Sequence, residues 1–151
     1  MVKPHKERTY AISPKEYQKI LKGVEIISIS LVGLNYKFSA VDLGSPLKLG
    51  YKTNSVLKGQ EGAKVNVSFS FNLKGKIKNK TVLMIEGEYN VVFSSKEKFT
   101  NEFHEVFKDF SLKLLMVPYL RDLFYNISLR SDLPPLILPL LKFFPPDKKI
   151  H

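Results

Sequence analysis

Cysteine is absent from the 151 residues, which removes disulfide frameworks, thiolate zinc sites, iron–sulfur clusters and cysteine nucleophiles together. A reducing compartment is compatible with that absence. A long apolar run is missing too. The most apolar stretch, Leu133 to Phe144, is shorter than the ~20 residues that cross a bilayer and is broken by Pro134, Pro135 and Pro139. The opening Met1-Val2-Lys3-Pro4-His5-Lys6-Glu7-Arg8 is charged and is not followed by the apolar core and cleavage site of a secretory signal. A cytoplasmic protein is expected, in which the sequons at Asn66, Asn79 and Asn126 have no role. Acidic residues are scarce: 14 Asp and Glu stand against 24 Lys and Arg, for a formal net charge of +10. Such a surplus attracts acidic partners, nucleic acid or anionic lipid without choosing among them.

What remains is ordinary for a globular chain, with 44% hydrophobic and 25% charged residues, enough for one domain of this length to bury a core. Residues 1–18 read as a basic N-terminal arm in which Ser13-Pro14-Lys15-Glu16 caps a short turn. Residues 19–144 form the domain, and 145–151 a short basic tail. From Val24, apolar residues alternate first on one parity (Val24, Ile26) and then on the other (Ile27, Ile29, Leu31), which predicts a strand with a bulge. The segment from Val32 to Pro46 has no period and reads as a loop rich in apolar side chains. Leu47, Leu49 and Tyr51 begin a second strand, with a turn at Lys58 to Gly62. Ala63, Val65, Val67, Phe69, Phe71 and Leu73 alternate with polar residues in the clearest strand of the chain. Leu83, Ile85, Tyr89, Val91 and Phe93 make the fourth, after a turn within Lys74 to Lys80. These strands predict one antiparallel sheet.

The period then lengthens. Phe99, Phe103, Phe107 and Phe110 recur every three or four residues, and a long helix follows from Leu112 to Leu129, closed by Ser131 and Pro134. Pro118 sits in its first turn or kinks it. The helix is apolar nearly all round, with Met116, Tyr119, Leu120, Leu123, Phe124 and Ile127 among its residues and a thin polar strip at Lys113, Arg121, Asp122, Asn126 and Ser128. Such a helix needs cover on two sides. One sheet supplies one side, so a second copy of the chain is expected on the other. The predicted architecture is α+β, a four-stranded antiparallel sheet backed by one long helix, in an oligomer.

Candidate chemical constellations are few. Lys74, Lys76, Lys78 and Lys80 form a basic ridge if extended, or crowd a hairpin tip if the chain turns among them; a nucleic-acid-binding module working through this ridge is one reading of the chain. His104 lies among Glu102, Glu105 and Asp109 but lacks a recognisable nucleophile, and it reads as a surface histidine. His5, His104 and His151 share no metal-ligand spacing. Glu86 and Glu88 share one strand face, and the glycines do not form a phosphate loop. Neither enzyme activity nor a cofactor or metal is expected.

The string Met116-Val117-Pro118-Tyr119-Leu120-Arg121-Asp122, followed at helix length by Ser131-Asp132-Leu133-Pro134-Pro135-Leu136-Ile137-Leu138-Pro139 and Phe143, resembles the SecB family of protein-export chaperones. Four strands before such a helix, with a loop crossing between the first two, follow the family's order, so the resemblance covers about Lys19 to Phe144. It implies an ATP-independent holdase, a tetramer built as a dimer of dimers, which keeps unfolded or secretory polypeptides competent for translocation. Its client groove would take Leu34, Tyr36, Phe38 and Val41 from the crossover loop, and Leu133, Leu136 and Leu138 from the Pro-rich connection. The family's docking surface for the SecA motor, an acidic patch on the sheet, maps onto Met84 and Glu86, with Glu25 from the first strand. Well-known members are strongly acidic whereas this chain is basic, and Pro145 to His151 stands where they continue into a second helix and an acidic tail. Members associated with toxin–antitoxin systems protect an antitoxin instead, which is the alternative the resemblance implies for this chain.

Overall fold

The computed structural model describes residues 9–39, 47–131, 133 and 136. The chain divides into two compact units, Met1–Val106 and Phe107–His151.

In the first unit, helix α1 (Pro14–Leu21) begins where the sequence supplies a cap. The Ser13 hydroxyl accepts the Glu16 N–H at 3.2 Å, and Pro14 takes the first helical position, where a missing N–H costs nothing. The helix runs across the 18/19 boundary expected between arm and domain. It is held from within the unit: Ile20 is buried and the Tyr17 ring stacks on Phe103 at 4.9 Å.

Four strands follow: β1 (Val24–Phe38), β2 (Lys48–Glu61), β3 (Lys64–Ile77) and β4 (Lys80–Ser95). They form one antiparallel sheet in the order β1-β4-β3-β2. The first two strands in sequence therefore occupy opposite edges. β3 realises the alternation read from its sequence, with Val65, Val67, Phe69, Phe71 and Leu73 buried and Lys64, Asn66, Ser70, Asn72 and Lys74 on the other face. On β4, Leu83, Ile85, Tyr89, Val91 and Phe93 are buried on the same side.

Both hairpins are tight. Gly62, between β2 and β3, has φ +58°, a conformation that glycine reaches without steric cost. Lys78 and Asn79, between β3 and β4, have φ 50° and 63°, the signature of a two-residue type I′ turn. The turns are shorter than the sequence suggested, because β2 runs through Lys58 to Glu61 and β3 through Lys74 to Ile77.

The main correction concerns β1. The segment expected as a loop from Val32 is strand as far as Phe38, still paired to β4 at Phe38↔Leu83. The bulge expected near Ile26 is present, and a second register shift follows between Leu31 and Gly33.

Helix α2 (Asn101–Asp109) spans the boundary of the two units, and α3 (Ser111–Arg130) lies in the second. The aromatic repeat begins with Phe99 before the helix. Its ring meets Phe103 edge-on at 4.7 Å and stacks near Phe93 at 6.3 Å. The side chain of Gln60 fixes this approach, accepting the Phe99 N–H at 2.7 Å. α3 matches the expected long helix, with Pro118 inside it and not in its first turn. No helix of the described residues is long and apolar enough to cross a membrane.

Candidate polypeptide-binding surface

Residues directly opposite one another in an antiparallel pair project to the same side. The register sets Ile26 opposite Phe93, Leu31 opposite Tyr89, Leu34 opposite Gly87, Tyr36 opposite Ile85 and Phe38 opposite Leu83. These β1 side chains therefore share the face on which β4 buries its core residues. Unlike their partners they are open: Ile26 is 49% exposed, Leu31 41%, Leu34 45% and Tyr36 36%, with Phe38 half-buried. The apolar face of the sheet thus runs out onto an uncovered edge strand. A row of apolar groups spaced about 6.8 Å apart along a strand can take side chains of many shapes, because dispersion and apolar burial are not directional.

Gly87 adapts the sheet at the middle of this row. A Cβ on it would fall 2.5 Å from the Gly33 carbonyl oxygen and 2.7 Å from Phe71 Cζ. Only glycine leaves room for β1 and the Phe71 ring to close over that point.

Three of the client-contact candidates, Leu34, Tyr36 and Phe38, are thus brought together on one face of a strand and not in a loop. Val41 and Leu138 lie outside the described residues. Leu133 and Leu136 belong to the second unit, where both are buried, so they do not offer the open surface expected of them. Ile26 and Leu31 extend the row although the sequence reading did not name them; their alternation was visible, but not their exposure.

The motor-docking candidates fall on the opposite, polar face. Glu86 accepts hydrogen bonds from Asn35 Nδ2 and Asn72 Nδ2, each at 3.1 Å, which ties β1, β4 and β3 together. Glu88 accepts one from the Ser68 hydroxyl. Met84 lies in register between Lys37 and Lys74, so its surroundings are basic. Glu25 pairs with Ser94, eight residues along β4 from Glu86 and hence about 27 Å away. The three candidates do not form one acidic patch.

The basic ridge is divided by the turn. Lys74 and Lys76 project from the polar face of β3, Lys78 occupies the turn and Lys80 opens β4. His104, expected at the surface, is buried: its Nε2 lies 2.8 Å from the Ser55 hydroxyl, which is buried with it.

On α3, the interface candidates separate by face. Met116, Leu120, Phe124 and Ile127 are buried within the single chain, Leu123 is half-buried and Tyr119 is exposed. The apolar residues that the helix leaves open are Leu114, Tyr119, Tyr125 and Leu129. Periodicity revealed two apolar faces but not which of them the chain itself would cover.

No family model matches the sequence, and no curated protein sequence matches it. Solved structures do match in shape. The SecB-like chaperone Rv1957 of Mycobacterium tuberculosis, solved in complex with a ChAD peptide from the Rv1956 HigA1 antitoxin, superposes with a TM-score of 0.74 at 18% identity. The match covers 85% of this chain and 98% of that one. A protein of unknown function from Streptococcus agalactiae aligns with a TM-score of 0.48 at 16% identity, over 78% of this chain and 97% of that one. The class that the fold defines is therefore SecB-like. Sequence identity this low is that of a divergent form of the fold.

Proposed function

We propose that this chain is an ATP-independent holdase chaperone of the cytoplasm, which shields apolar segments of unfolded polypeptides on the open face of β1. The observation that carries the reading is the row Ile26, Leu31, Leu34 and Tyr36, exposed on the face that is core elsewhere in the sheet. Monomeric soluble domains seldom leave such rows uncovered without a use for them. Covering one such side chain contributes about 1.5–3 kcal/mol, so a few contacts hold a client loosely enough for release without nucleotide. The SecB-like fold supports the reading, and the client interaction needs no catalytic group.

The dedicated form of the reading, protection of an antitoxin, is supported by the likeness to a SecB-like chaperone that binds an antitoxin peptide. Hand-over of secretory clients to an export motor has less support, because lysines flank Met84 where the family's docking surface is acidic.

The test is light scattering from an aggregating unfolded protein, without nucleotide, at low and high salt. The reading predicts suppression near stoichiometry at both salts, lost in Leu34→Ser with Tyr36→Ser, whose exposed positions leave folding intact. Unchanged suppression by that variant removes the surface assignment. Absence of suppression for general clients, with capture of a single partner, selects the dedicated form.

A further inference from the structure

The polar face of the sheet is not uniform. Its middle carries the hydrogen-bonded carboxylates of Glu86 and Glu88, but toward the β3–β4 turn it becomes lysine. Lys48, Lys52, Lys74 and Lys76 line, with Asn72, a surface trough of about 730 Å³. Its floor is open because Gly50 lies between Lys48 and Lys52 and pairs with Lys74; a Cβ there would meet nothing within 4 Å. Lys37 stands in the same cross-strand row, beyond Met84. All five lysines are exposed.

We propose that this trough docks an extended acidic polypeptide segment with carboxylates at alternate positions. Side chains on one face of a strand repeat about every 6.8 Å, and an extended peptide repeats its own at the same interval. Carboxylates at alternate positions therefore come into step with Lys74 and Lys76 on one strand and with Lys48 and Lys52, across Gly50, on the next. Charge agrees, since the chain's net +10 draws an acidic segment in from a distance.

Nucleic acid fits less well. Single strands bind by stacking bases on exposed aromatic rings between phosphate contacts, whereas Tyr51, which also borders the trough, pairs with buried Leu73 and so projects to the core side of the sheet. The residues on the polar face of β3 from Asn66 to Lys76 are Asn, Ser and Lys, and those of β4 from Met84 to Asn90 are Met, Glu and Asn. The positive groups are lysines, point charges suited to single carboxylates, and not the bidentate guanidinium fork. This site lies on the opposite side of the sheet from the apolar row, so it does not depend on the holdase reading.

The experiment is a fluorescence-anisotropy titration of the full chain with a labelled alternating Glu-Ser peptide of roughly ten residues, long enough to span the trough at strand spacing. An oligothymidylate of equal length is titrated in parallel. The expected result is saturable peptide binding that weakens about tenfold in Lys52→Glu with Lys74→Glu, the loss of two ion pairs and their replacement by repulsion. Lys15→Glu with Lys98→Glu, the same change in net charge away from the trough, should leave binding within about twofold. In the unaltered protein, amide shifts induced by the peptide should concentrate at 48–52 and 72–76. Failure of the peptide to bind, equal losses in both variants, or shifts spread over the whole surface would overturn the proposal. Tighter binding of the oligothymidylate through the same lysines would overturn it in favour of nucleic acid.

Discussion

The buried pair of Ser55 and His104 shows how a single polar contact fixes an element. Ser55 projects from edge strand β2 on its core side, and His104 reaches it from α2 at 2.8 Å. Burial removes water as an alternative partner for either group. Ser55→Ala deprives His104 Nε2 of that hydroxyl in a site water does not reach, and should lower stability by about 1–3 kcal/mol. Urea denaturation with an unchanged slope would measure it. A shift in midpoint equivalent to less than about 0.5 kcal/mol would show that the contact is not made in solution. The sequence suggested a surface histidine among Glu102, Glu105 and Asp109. Neighbours along a helix are visible in a sequence, while a serine 49 residues away is not.

Among the elements, the β3–β4 turn and strand β1 depart most from what their residues suggest in isolation. Lys78 and Asn79 both adopt positive φ, which for residues with a Cβ costs about 1–2 kcal/mol each, less for Asn. Lys78→Asn with Asn79→Gly places there the pair that a type I′ turn favours. It should raise stability by about 1 kcal/mol, seen as a higher thermal midpoint at unchanged cooperativity. A fall in midpoint would mean that the turn has a different geometry. The turn was not legible because its residues give no Asn-Gly signal, whereas the alternation of β3 announced that strand plainly. β1 was half legible. Each of its pieces alternates (Val24 and Ile26, Ile29 and Leu31, then Leu34, Tyr36 and Phe38), but two register shifts reset the parity and Gly33 interrupts it. A strand broken into three phases looks aperiodic, so its last third read as loop.

At the scale of the whole molecule, both edge strands of the sheet are long and α3 leaves Leu114, Tyr119, Tyr125 and Leu129 open. Exposed apolar strips and long unpaired edges favour association, which supports a homo-oligomer, with a tetramer expected from the SecB resemblance. Sedimentation should find a species of at least twice the chain mass, and Leu114→Glu with Leu129→Glu should shift it toward monomer while circular dichroism stays unchanged. A monomer at tens of micromolar, a range in which a standard-size interface holds, would count against association through this helix.

The sequence alone was enough for the α+β class, the four strands and the long helix, because periodicity follows directly from which residues avoid water, while the SecB likeness rested on the resemblance carried by residues 116–122 and 131–143. The sequence also determined the basic charge. Tertiary packing settled which apolar residues were covered. It placed Leu34, Tyr36 and Phe38 on an open strand face, buried Met116, Leu120, Phe124 and Ile127 within the chain, and paired His104 with Ser55. It also gathered Lys48 and Lys52 beside Lys74 and Lys76. The reason is physical: periodicity tells which side of an element is apolar, but exposure and cross-strand neighbours depend on what the rest of the chain brings beside it.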